Sequence, residues 1–209
     1  MTQQHIGIMG GTFNPIHYGH LIIAENACEQ YQLDQVIFMP TGHTPHKQFQ
    51  GDAMTRHRCE MVRLAIEHNP KFSLSLYETE NTDTNYTYQT LQHMHQTFSN
   101  AKLYFILGAD SLFDFEKWKY PEKICDQAVI LAAVRDSLTE SKVDRQIQYL
   151  SNRFQGEIHR LDTPNFNVSS KIIRNRLEQQ QTIRYMIPES VEAYIYQNQL
   201  YRKEASCYV

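Results

Sequence analysis

Apolar residues fall along this chain in short runs, separated by longer stretches that repeat with a helical period. The runs lie at 6–9, 36–39, 72–76, 103–107 and 129–134, each rich in β-branched or aromatic side chains and bounded by polar or turn residues, which predicts five strands. Between them helical periodicity covers 21–31, 56–68, 88–98 and, in pieces, 112–124; Met61, Leu64 and Ala65 share one face of the second. Farther on, 139–153 reads as a helix and 157–161 as a short strand, with helices from Ser169 and over 189–198. Strand and helix alternating in this way predict an α/β fold. It should be a Rossmann-like, open and mostly parallel sheet with flanking helices, right-handed crossovers and a small C-terminal helical part from about residue 165 to 209. A ligand crevice is then expected at the carboxyl ends of the strands.

Composition narrows the class. With 209 residues, 41% hydrophobic and 21% charged, only 8 glycines and 7 prolines, the chain is an ordinary globular one, long enough for a single domain over 1–209. A net charge of -3 lacks the basic excess of a phosphate-backbone binder, so no nucleic-acid partner is expected. Cys28, Cys59, Cys125 and Cys207 are scattered without C-x-x-C or metal-like spacing, which suits reduced thiols in a cytosol. The start MTQQHIGIMGG has no secretory pattern, and no apolar run approaches the roughly 18 residues of a membrane span, so a cytoplasmic protein is expected. Self-association into a homo-oligomer is left open.

The first predicted strand runs directly into Gly10-Gly11-Thr12-Phe13-Asn14-Pro15-Ile16-His17-Tyr18-Gly19-His20, after which the chain turns helical. Paired glycines allow a ligand to approach the backbone, and the N–H groups at the following helix start favour an anion. The segment is neither G-x-G-x-x-G nor a P-loop with its Lys-Ser/Thr. Instead His17 and His20, three residues apart with Gly19 between them, offer two imidazole donors to a phosphoryl group. A zinc site would require a third ligand and wider spacing.

GGTFNPIHYGH resembles the signature of the H-x-G-H nucleotidyltransferase superfamily, with Asn14 where aspartate is frequent. Over nearly the full length the chain is similar to bacterial nicotinate-nucleotide adenylyltransferases, through further motifs in the family's order. Pro45-His46-Lys47 matches a P-H-K motif and implies that Lys47 holds the mononucleotide phosphate or the reacting α-phosphate. Asn85-Tyr86-Thr87 matches S-Y-T with Asn85 for serine, and implies that Tyr86 and Thr87 meet the pyridine carboxylate at a helix start. Gly108-Ala109-Asp110 matches G-x-D, implying close approach at Gly108 and a ribose contact for Asp110, which could also cap the next helix. Trp118, the only tryptophan, stands at a family tryptophan position and implies stacking on the pyridine. Arg135 matches a family arginine, followed here by Asp136-Ser137 in place of Pro-Gly.

Val168-Ser169-Ser170-Lys171-Ile172-Ile173-Arg174 is similar to the second signature, I-S-S-T-x-I-R, and implies that Ser169, Ser170 and Arg174 hold the β- and γ-phosphates. By the same resemblance Gly10, Gly11, Thr12, Phe13, His17, Gly19 and His20 belong to the ATP site, with His17, His20, Lys47 and Arg174 catalytic. Ile187-Pro188-Glu189, Val191, Tyr194-Ile195 and Leu200-Tyr201 match the family's closing pattern and read as packing. The implied reaction is attack by the phosphate of nicotinate mononucleotide on the α-phosphorus of ATP. An anionic phosphate is already a nucleophile, so no general base is required. Mg2+ should arrive with the ATP phosphates, because no compact carboxylate cluster suggests a metal cage built by the protein. Two rival readings are transfer of AMP or CMP to another phosphate acceptor, and a non-catalytic nucleotide sensor.

Overall fold

The computed structural model describes residues 3–42, 52–81, 83–134 and 140–202. Its sheet consists of β1 (Gln4–Gly11), β2 (Gln35–Pro40), β3 (Phe72–Leu74), β4 (Ala101–Gly108), β5 (Val129–Val134) and β6 (Ile158–Asp162), in the order β3-β2-β1-β4-β5-β6. Each of the five pairings is parallel, so the sheet expected to be mostly parallel is wholly so among the described residues. The helices are α1 (Tyr18–Gln30), α2 (Asp52–Ile66), α3 (Tyr77–Glu80), α4 (Thr87–Thr97), α5 (Ala109–Asp114), α6 (Pro121–Gln127), α7 (Glu140–Phe154), α8 (Ser170–Glu178) and α9 (Glu189–Gln197). A 3-10 turn over Phe115–Lys117 joins α5 towards α6. The architecture is the Rossmann-like α/β fold that the alternation of elements predicts.

Period-two alternation sorts the strand side chains between two apolar layers. Met9, Tyr104, Ile106, Val129, Leu131 and Ala133 pack on one side with Ile23 and Ala27 of α1, Met61 and Val62 of α2, Ile173 and Leu177 of α8, and Val191 and Ile195 of α9. Ile6, Ile8, Leu103, Phe105, Leu107, Ile130 and Ala132 pack on the other with Leu91 of α4, Leu112 of α5, Ile124 of α6 and Val143 of α7. Being covered on both faces, β5 is apolar and buried at every position, as its unbroken run of apolar residues implies. The C-terminal helices α8 and α9 thus share the apolar layer that lies under β1.

The helix expected in pieces over 112–124 is broken for a visible reason. Tyr120 takes a left-handed conformation (φ 53°), and Pro121 follows at the first position of α6, where its missing N–H costs no helical bond. Among the described residues no helix is long and apolar enough to cross a membrane.

Candidate active site between the β1 and β4 ends

The strand order reverses between β1 and β4, where crossovers leave the sheet toward opposite faces and a crevice opens at the carboxyl ends. A cavity of about 150 Å³ lies there, lined by Gly10, His20, Phe105, Gly108, Ser111 and Trp118 among others. A larger cavity of about 530 Å³ beside the ends of α8 and α9 contains none of the motif residues, so size does not locate the chemistry.

The turn after β1 is built around Phe13. Its φ is 47° and its ring is buried, lying so close beneath Gly11 that a Cβ there would sit 2.9 Å from two ring carbons. At Gly11 the absent side chain therefore makes room for Phe13. At Gly10 an added Cβ would meet only the Phe105 ring, at an ordinary 3.6 Å. The Phe13 ring in turn meets His20 edge-on, with centroids 5.0 Å apart.

His17 is the N-cap of α1, extended at φ -151° and ψ 169°, so the helix begins at Tyr18, three residues before its apolar period starts. The His17 and His20 rings stack with centroids 3.7 Å apart. The His17 amide donates to His20 Nδ1 at 3.2 Å. Because Nδ1 accepts, a neutral His20 ring carries its proton on Nε2. His20 also lines the cavity. An added Cβ at Gly19 would press on the His17 ring at 3.0 Å and lie 3.7 Å from the Val168 carbonyl oxygen.

The second motif docks on the first. Ser169 caps α8, its Oγ accepting from the Ile172 amide at 3.2 Å. One residue on, the Ser170 hydroxyl donates to the Pro15 carbonyl at 2.8 Å, and Arg174 Nη1 donates to the Asn14 carbonyl at 2.7 Å. Residues 170 and 174 stand one turn apart on the face of α8 turned to this loop. The Tyr201 hydroxyl hydrogen-bonds Asn14 Oδ1 from the far side, and burial raises its pKa.

On the other flank, Tyr86 is the N-cap position of α4 without a side-chain bond, and Thr87 opens the helix. The amides of Thr87 and Tyr88 precede the first bonds of this helix, from the Gln89 and Thr90 amides to the Tyr86 carbonyl. Trp118 is half-buried against Phe115 and Phe105, with centroids at 5.4 and 6.1 Å, and its indole lines the same cavity as His20 and Gly108. Asp110 is exposed in the first turn of α5, whose N-cap is Gly108; the cap role open to Asp110 on sequence is not the one it takes. Lys47, with His43 and His46, and Arg135 lie outside the described residues.

The cytidylyltransferase-like family model matches residues 8–176, which span both signatures. A Lachnoclostridium phytofermentans protein named "Probable nicotinate-nucleotide adenylyltransferase" is 41% identical over 94% of this chain and 98% of its own length. One of the same name from Dictyoglomus turgidum is 40% identical over 95% and 96%. The chain belongs to the nicotinate-nucleotide adenylyltransferase family. In fold it is similar to the Plasmodium falciparum nicotinic acid mononucleotide adenylyltransferase solved in complex with NaAD, at a TM-score of 0.75 and 20% identity over 95% of this chain and 97% of that one.

Two buried residues that brace the segments carrying the motifs of this adenylyltransferase escape a motif-based reading. Arg58 is buried on α2 and ties two strand ends together, donating from Nη1 to the Thr12 carbonyl at 2.8 Å and from Nη2 to the Thr41 carbonyl at 2.9 Å. Burial holds its pKa below the ordinary guanidinium value. Its place three residues before Met61, on the apolar face of the helix, is the signal that a sequence reading could have used. Glu78, buried on α3, sits in no amphipathic pattern at all.

Proposed function

We propose that this chain transfers the adenylyl group of ATP to nicotinate mononucleotide, forming nicotinate adenine dinucleotide and pyrophosphate for NAD biosynthesis. The observation that carries the reading is the junction of the two signatures, in which Ser170 and Arg174 bind the carbonyls of Pro15 and Asn14 beside His17 and His20. That junction sets the α8 helix start and the Arg174 cation against the loop that carries both histidines, and N–H donors with a cation are what phosphoryl transfer from an anionic nucleophile demands. A phosphate oxygen of the mononucleotide attacks the α-phosphorus, the bond from the α-phosphorus to the bridging oxygen breaks, and its electron pair leaves with pyrophosphate. No proton has to be removed.

In this scheme the imidazoles of His17 and His20 stabilise charge on the transferring phosphoryl group. Ser169, the backbone amide of Ser170 and Arg174 hold the β- and γ-phosphates, with the Ser170 hydroxyl and Arg174 also fixing the loop. Gly10, Gly11, Thr12, Phe13, Gly19 and Gly108 shape the ATP surface, and Asp110 accepts from the ribose hydroxyls. Lys47 serves the phosphate of the acceptor or the α-phosphate. The amides at Tyr86 and Thr87 receive the pyridine carboxylate, Trp118 stacks on the ring, and Arg135 completes the acceptor side. The transfer takes a divalent metal with the nucleotide, and we assign magnesium. The donors around the crevice are mainly nitrogen and hydroxyl groups, which fits an ion carried by triphosphate oxygens and supplying charge neutralisation to the leaving pyrophosphate. A cytoplasmic location suits this substrate pair.

Pyrophosphate release, measured with ATP and each of nicotinate mononucleotide, nicotinamide mononucleotide and phosphopantetheine, and again with CTP, tests the assignment. Turnover should be highest with ATP and nicotinate mononucleotide. Faster turnover with any other pair overturns it.

A further inference from the structure

The proposed mechanism makes no use of Glu78, although this carboxyl group is buried within a polar network beside the acceptor flank. Glu78 Oε1 accepts from the Thr90 hydroxyl at 2.8 Å, and the Gly42 amide also donates to the carboxylate. The Glu78 backbone carbonyl accepts from Asn85 Nδ2 at 2.8 Å, and Asn85 Oδ1 accepts from Asn81 Nδ2 at 3.0 Å. Thr90 belongs to α4 and binds back to the Tyr86 carbonyl through its amide, at 3.1 Å. Gly42 ends the described part of the segment leaving β2, five residues before Lys47 in sequence. A Cβ at Gly42 would lie 1.8 Å from the Glu78 carbonyl oxygen and 2.8 Å from Asn85 Nδ2, so the fit between these segments leaves no slack.

One carboxylate therefore fastens the chain leaving β2 to the head of α4. Its partners are neutral donors, a hydroxyl and an amide, so burying it costs stability that an uncharged side chain of the same shape would spare. We infer that Glu78 is a positioning residue for the pyridine mononucleotide, holding the Gly42 backbone and the Tyr86–Thr87 amides at the separation the acceptor spans. The inference rests on the adenylyltransferase reading above.

The test compares wild type, Glu78→Ala, Glu78→Gln and Thr90→Val by steady-state pyrophosphate release, with the mononucleotide and ATP varied in turn. Glu78→Ala should raise KM for nicotinate mononucleotide by about tenfold or more, while KM for ATP stays within roughly twofold, the size expected when one or two buried hydrogen bonds that place a ligand are lost. Glu78→Gln accepts one of the two bonds only by turning its NH2 toward the other donor, and should fall between wild type and Glu78→Ala. Thr90→Val keeps the shape of Thr90 and removes the hydroxyl donor, so it should reproduce the selective rise even if Glu78→Ala fails to fold. Parallel changes in both KM values, or no change, across the folded variants overturn the inference alone. A wild type that releases no pyrophosphate with this acceptor overturns the functional reading and the inference together.

Discussion

Gly108 offers a test in which structural and functional demands for glycine separate. It ends β4 at φ -78° and ψ 157°, a conformation any residue adopts, and an added Cβ would meet no atom within 4 Å. The fold alone has no need of glycine here. Alanine usually stabilises such a backbone position by about 0.4–1 kcal/mol through the unfolded chain, but as the N-cap of α5 it is less favourable than glycine by a comparable amount. At about 2–4 °C per kcal/mol for a chain of this length, Tm of Gly108→Ala should stay within roughly 4 °C of wild type. The open space is the crevice itself, since Gly108 lines the cavity with His20 and Trp118. A methyl group reaching ~1.5 Å from Cα would make a nucleotide in contact with that backbone withdraw by about an ångström. Displacement on that scale costs on the order of 100-fold in rate, or about 2.7 kcal/mol. The assay is pyrophosphate release with ATP varied at saturating mononucleotide, beside a thermal melt. Wild-type kinetics with an unchanged or raised Tm would refute close approach of the nucleotide at Gly108. A fall in Tm well beyond that range would refute the claim that the space is free.

Three further outcomes are expected. His20→Ala removes one donor from the transferring phosphoryl group and should lower kcat by about 10²–10³ with a small change in Tm; near-normal turnover of the folded variant would contradict the donor role. Arg58→Met leaves the Thr12 and Thr41 carbonyls without their charged donor and should destabilise by roughly 1–3 kcal/mol in thermal unfolding, even though it also removes a buried charge. A variant more stable than wild type would mean that burial of the charge outweighs both bonds. Burial raises the Glu78 pKa above its ordinary 4.5, against the lowering effect of the Thr90 and Gly42 bonds. Its contribution to stability is then full below pH 4.5 and is lost as pH climbs through the raised folded value. Melting curves at pH 5 and pH 8 should show Glu78→Gln gaining on wild type at the higher pH, and an equal gap at both would contradict the shift.

Period and punctuation made most of the fold legible. The run 129–134 matches β5 residue for residue, and alternation in β1 and β4 already separates Ile6 and Ile8 from Met9. Helix starts were harder to place. α1 begins at Tyr18 because a histidine caps it, and neither His17 nor Gly19 carries an apolar signal. A single turn such as α3 is too short for a period to show. At the site, the motifs point to residues that face ligand and miss those that hold backbone. Arg58 and Glu78 act on carbonyls and amides from outside any signature, and only folding brings their targets within reach. The glycine pair illustrates the same limit. A sequence reading gives both glycines to the ligand and does not show the second demand at Gly11, which makes room for Phe13.

The bonds from Ser170 and Arg174 back to Pro15 and Asn14 span 155 and 160 residues of sequence. Ribosomes extend chains at about 5–20 residues per second, so the turn that follows β1 waits roughly ten to thirty seconds for the helix that braces it. During that interval the early strands can pair while Asn14 and Pro15 have no partner from α8. A nascent chain, or one cut short before α8, would therefore hold much of the sheet and its first histidines with no braced nucleotide pocket. A chain terminated before α8 is therefore expected to be inactive and not merely slow, which pyrophosphate release from a truncated variant would check.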